Sequence, residues 1–173
     1  MITLLRRLAA DRKGASAVEF ALILPILVML NMCAAEAVQA YVAQRQIAHI
    51  ATAMADITAR NRTVSAADLT DILLASTTMM YPLPNVRLQQ RVSSLVADSN
   101  GTITTEWTVK KGYTLSGSPS VPAGYLRSNE SVIVSDVIYD YETPFGFFLP
   151  ESIRFTRHAY VRPRLSAKVE KVN

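Results

Sequence analysis

From Ala15 to Ala35 the chain carries one charged residue, Glu19, and from Phe20 to Ala35 it carries none. About 20 apolar residues cross a ~30 Å hydrocarbon core as a helix. The run therefore has the length of a membrane span, provided Glu19 is accommodated near one edge. Arg6, Arg7, Arg12 and Lys13 stand directly before it. Basic residues hold the cytoplasmic side of a span. The pattern predicts a single-pass protein with its N-terminus inside and its C-terminal bulk exported.

A formal net charge of +4 suggests nucleic acid at first sight, yet the basic excess lies at the two ends. Residues 15–150 are net acidic. From Glu151 the chain turns positive again through Arg154, Arg157, Arg162, Arg164, Lys168 and Lys171. No continuous basic stripe is available to follow a phosphate backbone, and no nucleic-acid partner is expected. Cys33 is the one cysteine, so no intramolecular disulfide can form. Inside the apolar run it reads as a small buried hydrophobe. Asn31 and Met32 ahead of it do not make a lipoprotein site.

A membrane span processed at its N-terminus has two rivals for this run. A cleaved secretory signal also has a basic start, a short apolar stretch and an A-x-A site, and Ala35-Glu36-Ala37 could serve as that site. A plain uncleaved anchor is the second. Neither gives Glu19 a purpose. A carboxylate well inside a bilayer costs about 2.5–3.5 kcal/mol and usually marks function. If the chain is cut between Gly14 and Ala15, the new amine has a pKa of about 8 and is mostly charged. Glu19 then lies one helical turn away, at the positive end of the helix dipole. The amine of a neighbouring helix would pair with it equally well. Cleavage turns the acid from a liability into a device that sets register.

Arg12-Lys13-Gly14-Ala15-Ser16-Ala17-Val18-Glu19-Phe20 resembles the processing site of prepilin-like proteins, with Gly before the cut and Glu at the fifth mature position. Glu followed by the aromatic Phe20 is similar to the tight-adherence (Tad/Flp) pilus branch, and the run GASAVEFALILPILVML resembles TadE-like pseudopilins. Tyr139-Asp140-Tyr141, Pro144, Pro150 and Ala159-Tyr160-Val161-Arg162-Pro163-Arg164 are similar to that family's C-terminal pattern. The resemblance implies cleavage after Gly14 by a membrane aspartyl prepilin peptidase. It further implies an accessory role in assembling a type IVb-like pilus of the kind used in cell adhesion. The partners it implies are that peptidase, other pilins or pseudopilins, the Tad assembly machinery and inner-membrane lipid. The major Flp pilin is far shorter. A type IV or type II secretion pseudopilin fits less well, given the Ala-Ser-Ala-Val-Glu-Phe start and the lack of a second cysteine.

Beyond the span, no Gly or Pro occurs from Glu36 to Arg60, and Ile47, Ile50, Met54 and Ile57 recur at three- and four-residue steps. This predicts that the helix continues, with a core-facing stripe on its outer half. Residues 15–60 as one helix extend about 69 Å at 1.5 Å per residue, roughly half of which the bilayer needs. Pro25 denies the Ala21 carbonyl its partner and marks a candidate hinge. Ser65 with Asp68 reads as the N-cap of a short helix bearing Leu69, Ile72 and Leu73, ending before Pro82 and Pro84.

Residues 86–97, a turn at Asp98-Ser99-Asn100-Gly101 and residues 102–110 read as a hairpin with Ile103, Thr105, Trp107 and Val109 on one face. Residues 112–124 read as a loop, and 131–141 and 153–161 as strands. The expected fold class is α+β. A basic cytoplasmic leader (1–14) precedes a transmembrane helix (15–36) and its extension (37–62). A periplasmic domain (63–173) follows, with a short helix and an antiparallel sheet of about four strands.

Catalytic chemistry finds little to work with. His49 and His158 are the two histidines, and no Cys/His/Asp cluster has metal spacing. There is no G-x-S-x-G elbow and no Walker loop, and Ser116-Gly117-Ser118 reads as part of a turn. Asp136, Asp140 and Glu142 read as solvated strand-face acids rather than a cation site. The Phe145–Pro150 segment reads as a plug under the sheet, and the basic end as a flexible solvated tail. No catalytic, metal or cofactor-binding residue is assigned, and neither an enzyme nor a small-molecule substrate is expected. The reading is a membrane-anchored pseudopilin in a bacterial inner membrane, processed after Gly14. Its alternative is an exported binding or enzymatic domain behind an ordinary signal peptide or anchor.

Overall fold

The structure, a computed structural model, describes residues 12–114 and 116–172. Helix α1, Arg12–Ala59, is a single element of 48 residues, about 72 Å long at 1.5 Å per residue. Its halves meet different surroundings. Residues 14–31 are exposed throughout. Among the described residues this is the one helix long and apolar enough to cross a membrane, and its apolar stretch is not buried against the rest of the chain. Farther along, Ala40, Ala43, Ile47, Ile50, Ala51, Met54, Ala55 and Ala59 are buried. The alanines let the helix lie close to a sheet. Ile57, expected in the same stripe, is exposed, because Thr58 and Ala59 carry the buried face onward in its place.

Strand β1 (Thr63–Ser65) leads into helix α2 (Ala66–Thr78). The Ser65 hydroxyl accepts from the Asp68 backbone N–H at 3.1 Å, and the Ser65 N–H donates to the Asp68 carboxylate at 2.8 Å. This reciprocal cap satisfies two donors that a helix start otherwise leaves orphaned. The backbone and hydroxyl of Ser65 hold the Asp68 carboxyl below its ordinary value. Leu69, Leu73 and Ser76 are the buried positions of α2.

The expected α+β class and the four-stranded antiparallel sheet are both present. Strands β2 (Leu88–Ala97), β3 (Ile103–Lys111), β4 (Ser131–Glu142) and β5 (Ser152–Val161) lie in the order β3-β2-β4-β5, antiparallel throughout. The outer half of α1 and α2 pack on one face, where Ile47, Ile50 and Met54 meet Val92, Trp107, Ile133 and Val137 in one core. On the opposite face Leu95, Val132 and Val134 are covered by Val121, Tyr125 and Leu126 of the segment between β3 and β4. That Ser/Gly/Pro-rich segment is a loop, as expected, and it also forms a second layer.

Two expectations about the strands and the C-terminal segment need correction. Ser94 stands opposite Trp107 and Leu95 opposite Thr105, so Glu106 is an extra residue in the ladder. This β-bulge breaks the alternation. Trp107 and Val109 face the helices, whereas Ile103 and Thr105 line a cleft on the other face beside Leu95 and Val121. The four side chains therefore do not share one face.

The basic end is not a free tail either. Trp107 Nε1 donates to the Val169 carbonyl at 2.8 Å, Arg164 N donates to the Ala59 carbonyl at 3.0 Å, and Val169 is fully buried. Strand β6 (Glu170–Val172) pairs in parallel with β1. Arg162, Arg164 and Lys168 meet Glu130, Asp56 and Glu106. Exposed pairs of this kind contribute only about 0–1 kcal/mol each, so the strand pairing and Val169 do more to fix the segment. The basic end folds back on the net-acidic middle of its own chain.

Candidate functional site

Every residue singled out for processing and assembly lies on the exposed half of α1. Gly14 lies within α1, and a Cβ built on it would meet nothing within 4 Å. Ala15, Glu19 and Phe20 are exposed, with Glu19 one turn beyond Ala15 on the same helix. Pro25 lies within α1, which continues as helix on both sides of it. The leader residues 1–11, with Arg6 and Arg7, lie outside the described residues.

The most distinctive chemistry stands where the exposed half meets the domain. Glu36 is fully buried. Its Oε1 accepts from the Phe147 N–H at 3.2 Å, and its Oε2 accepts from the N–H groups of Phe148 at 3.2 Å and Leu149 at 3.3 Å. These three donors belong to the loop joining β4 to β5, closed at its neck by Thr143 N donating to the Glu151 carbonyl at 3.1 Å. Gly146 takes φ +65° there, which a side chain rarely adopts. The turn through Gly146 aims successive N–H groups at Glu36 and so directs the phenylalanines outward. Nearby, the Tyr141 hydroxyl is buried without a hydrogen-bond partner among the described residues. Burial first, and the Glu36 charge second, push its phenol up.

The loop is therefore not the plug expected of it. Leu149 packs against the core, but Phe145, Phe147 and Phe148 are 49%, 71% and 43% exposed. Tyr141 already stacks on Phe155 beneath the sheet end, with ring centroids 6.1 Å apart. Sequence reasoning weighed Glu36 only as the middle of an Ala-Glu-Ala cleavage motif and missed its role. A signal was present: Glu36 is the first acid after the charge-free run, on the same helix face as Met54 five turns on.

The three acids of β4 also differ from expectation. Asp136 is buried, accepting from Arg91 Nε at 2.7 Å, with its other oxygen 2.6 Å from His158 Nδ1. Arg91 donates onward to the Gly117 carbonyl at 2.7 Å and lies 4.5 Å from the centroid of the Tyr113 ring. Asp140 pairs with Arg154, and Glu142 with Arg87. Each acid has a basic partner supplied by a neighbouring strand or its approach, so they are matched charges rather than solvated ones. Among the described residues no group of three His, Cys, Asp or Glu could hold a metal ion.

Among known families, residues 14–56 match the model described as TadE-like protein. The match begins at Gly14, ends within α1, and covers about a quarter of the 173 residues. Searches of curated proteins and of solved structures found no match. Residues 14–56 are thus similar to TadE-like proteins, the resemblance their sequence carries. The single apolar helix is compatible with membrane anchoring.

Proposed function

We propose that the chain is a pseudopilin of a tight-adherence pilus, anchored in the inner membrane by residues 15–36 with its N-terminus cytoplasmic. A prepilin peptidase removes residues 1–14 after Gly14. The freed Ala15 amine pairs with Glu19 of the same or a neighbouring helix, Phe20 packs beside it, and Pro25 lets α1 bend as subunits bundle. The extension 37–62 and the domain 63–173 stand in the periplasm, where they meet other pilins and the assembly machinery.

One observation carries this reading. α1 presents a bare apolar half whose lone acid, Glu19, sits one turn from Ala15, directly after an unhindered glycine. Supporting it against an ordinary signal peptide, a cut after Ala37 would discard Glu36. Three loop N–H groups would then lose their acceptor, and buried unpaired donors are costly.

The decisive test is the N-terminus of the mature protein, read by intact mass and peptide sequencing from membranes of a host with its own prepilin peptidase. A start at Ala15 is expected. A start at Val38 would mean a secreted domain, and an intact Met1 a plain anchor; either overturns the proposal. Glu19→Ala is expected to be cleaved and to stay in the membrane while co-purifying about tenfold less partner pilin, equivalent to ~1.4 kcal/mol. Wild-type co-purification and piliation would remove the pairing role from Glu19.

A further inference from the structure

We infer that the β4–β5 loop is a second membrane contact, with Phe145, Phe147 and Phe148 resting at the headgroup–acyl boundary of the leaflet from which α1 emerges. The inference rests on α1 spanning a bilayer, but not on pilus assembly. Residues 15–35 as helix measure about 31 Å, and the hydrocarbon core is ~30 Å thick. Glu36 therefore stands at the far boundary. Because Glu36 accepts three N–H groups of the loop at 3.2–3.3 Å, the loop is held at that same depth.

Its composition suits that position. Thr143 to Pro150 carries no charge, while Glu142 and Glu151 flank it. Its three phenylalanine rings are exposed within four residues of one another. Held to Glu36 at the last turn of the span, the exposed rings lie at the edge of the surface that lipid covers, and this placement favours lipid over a protein partner. Aromatic and large apolar side chains concentrate at this boundary, where the gain is burial of area without desolvating a charge. A carboxylate that binds the loop backbone keeps the amides satisfied at a depth where water is scarce.

The test uses the full chain in phosphatidylcholine–phosphatidylglycerol vesicles with nitroxide reporters. Their access to oxygen, which enters lipid, is compared with access to a nickel chelate, which stays in water. Cys33 is the one cysteine and reports on the span directly. Phe147→Cys and Asn100→Cys, each combined with Cys33→Ala, report on the loop and on the β2–β3 turn at the opposite end of the sheet. Phe147 is largely exposed, so its replacement spares the core, and Phe145→Cys provides a second loop position.

The expected result is oxygen-favoured access at Cys33 and, at shallower depth, at Phe147 and Phe145, with the ratio inverted at Asn100. Nickel-favoured access at both loop positions with Cys33 still in lipid would overturn the inference and leave the span intact. Loop labels shielded from both reagents would mean that protein covers the tip, which also overturns it. Nickel-favoured access at Cys33 would overturn the span itself and the inference with it.

Discussion

Gly14→Leu is expected to leave the leader attached, with cleavage slowed by about two orders of magnitude, or ~2.7 kcal/mol at 1.36 kcal/mol per tenfold. Two effects combine. A Cβ at residue 14 has open space around it, so the substitution costs the folded chain nothing. Leucine also favours helix over glycine by about 0.5–1 kcal/mol, which opposes the local opening a peptidase needs. The larger effect is steric, because a branched side chain replaces hydrogen beside the scissile bond. Gly14→Ala should fall in between. The readout is the fraction of full-length chain by intact mass over time in membranes holding the peptidase. The uncut variant should also reproduce the loss of partner pilin expected for Glu19→Ala, since no free amine forms at Ala15. Cleavage at the wild-type rate would move the processing site away from Gly14.

The second large effect concerns stability. Asp136→Ala strands the Arg91 guanidinium, whose side chain is only 11% exposed, without its carboxylate. Removing one member of a buried pair typically costs about 3–5 kcal/mol, a large share of the ~5–15 kcal/mol that holds a domain folded. The Gly117 carbonyl and the Tyr113 ring remain with Arg91, but neither neutralises its charge. His158 is half exposed, so His158→Ala should cost markedly less. The double variant Arg91→Met/Asp136→Ala should recover most of the loss, because replacing both charges removes the stranded one. Urea midpoints of the intact chain in detergent micelles measure all three. A loss below about 1 kcal/mol for Asp136→Ala would equal that of an exposed pair and contradict the buried geometry.

Features encoded by a few neighbouring residues were legible. Ser65 and Asp68 capped α2 as their spacing required, the turn ending at Gly101 joined β2 to β3, and the absence of Gly and Pro after Glu36 kept α1 unbroken to Ala59. Features that depend on distant partners were not. The bulge at Glu106 inserts one residue into a ladder whose composition still alternates well enough to mislead. Val169 and β6 read as tail because their partners, Trp107 and β1, lie far back in the chain. Glu36 and its three amides are more than 110 residues apart, and an acid beside a span carries no local sign of the loop that needs it. At the candidate site, Gly14, Ala15 and Glu19 are proposed from sequence, because the chemistry read for them is contained within two helical turns.

The absence of a linker between the apolar half of α1 and the core has a mechanical consequence. The helix whose apolar half is long enough to span a bilayer continues as the helix against which β4 and β5 pack. A push along its axis, or a twist about it, is delivered to the sheet without slack. Turning the rod by one residue's worth of helical phase swings the whole domain through about 100°. Whichever side of the rod a neighbouring helix prefers therefore dictates which side of the domain the neighbour's own domain will face. Lateral packing of the apolar half and orientation of the domain are settled by one torsional coordinate.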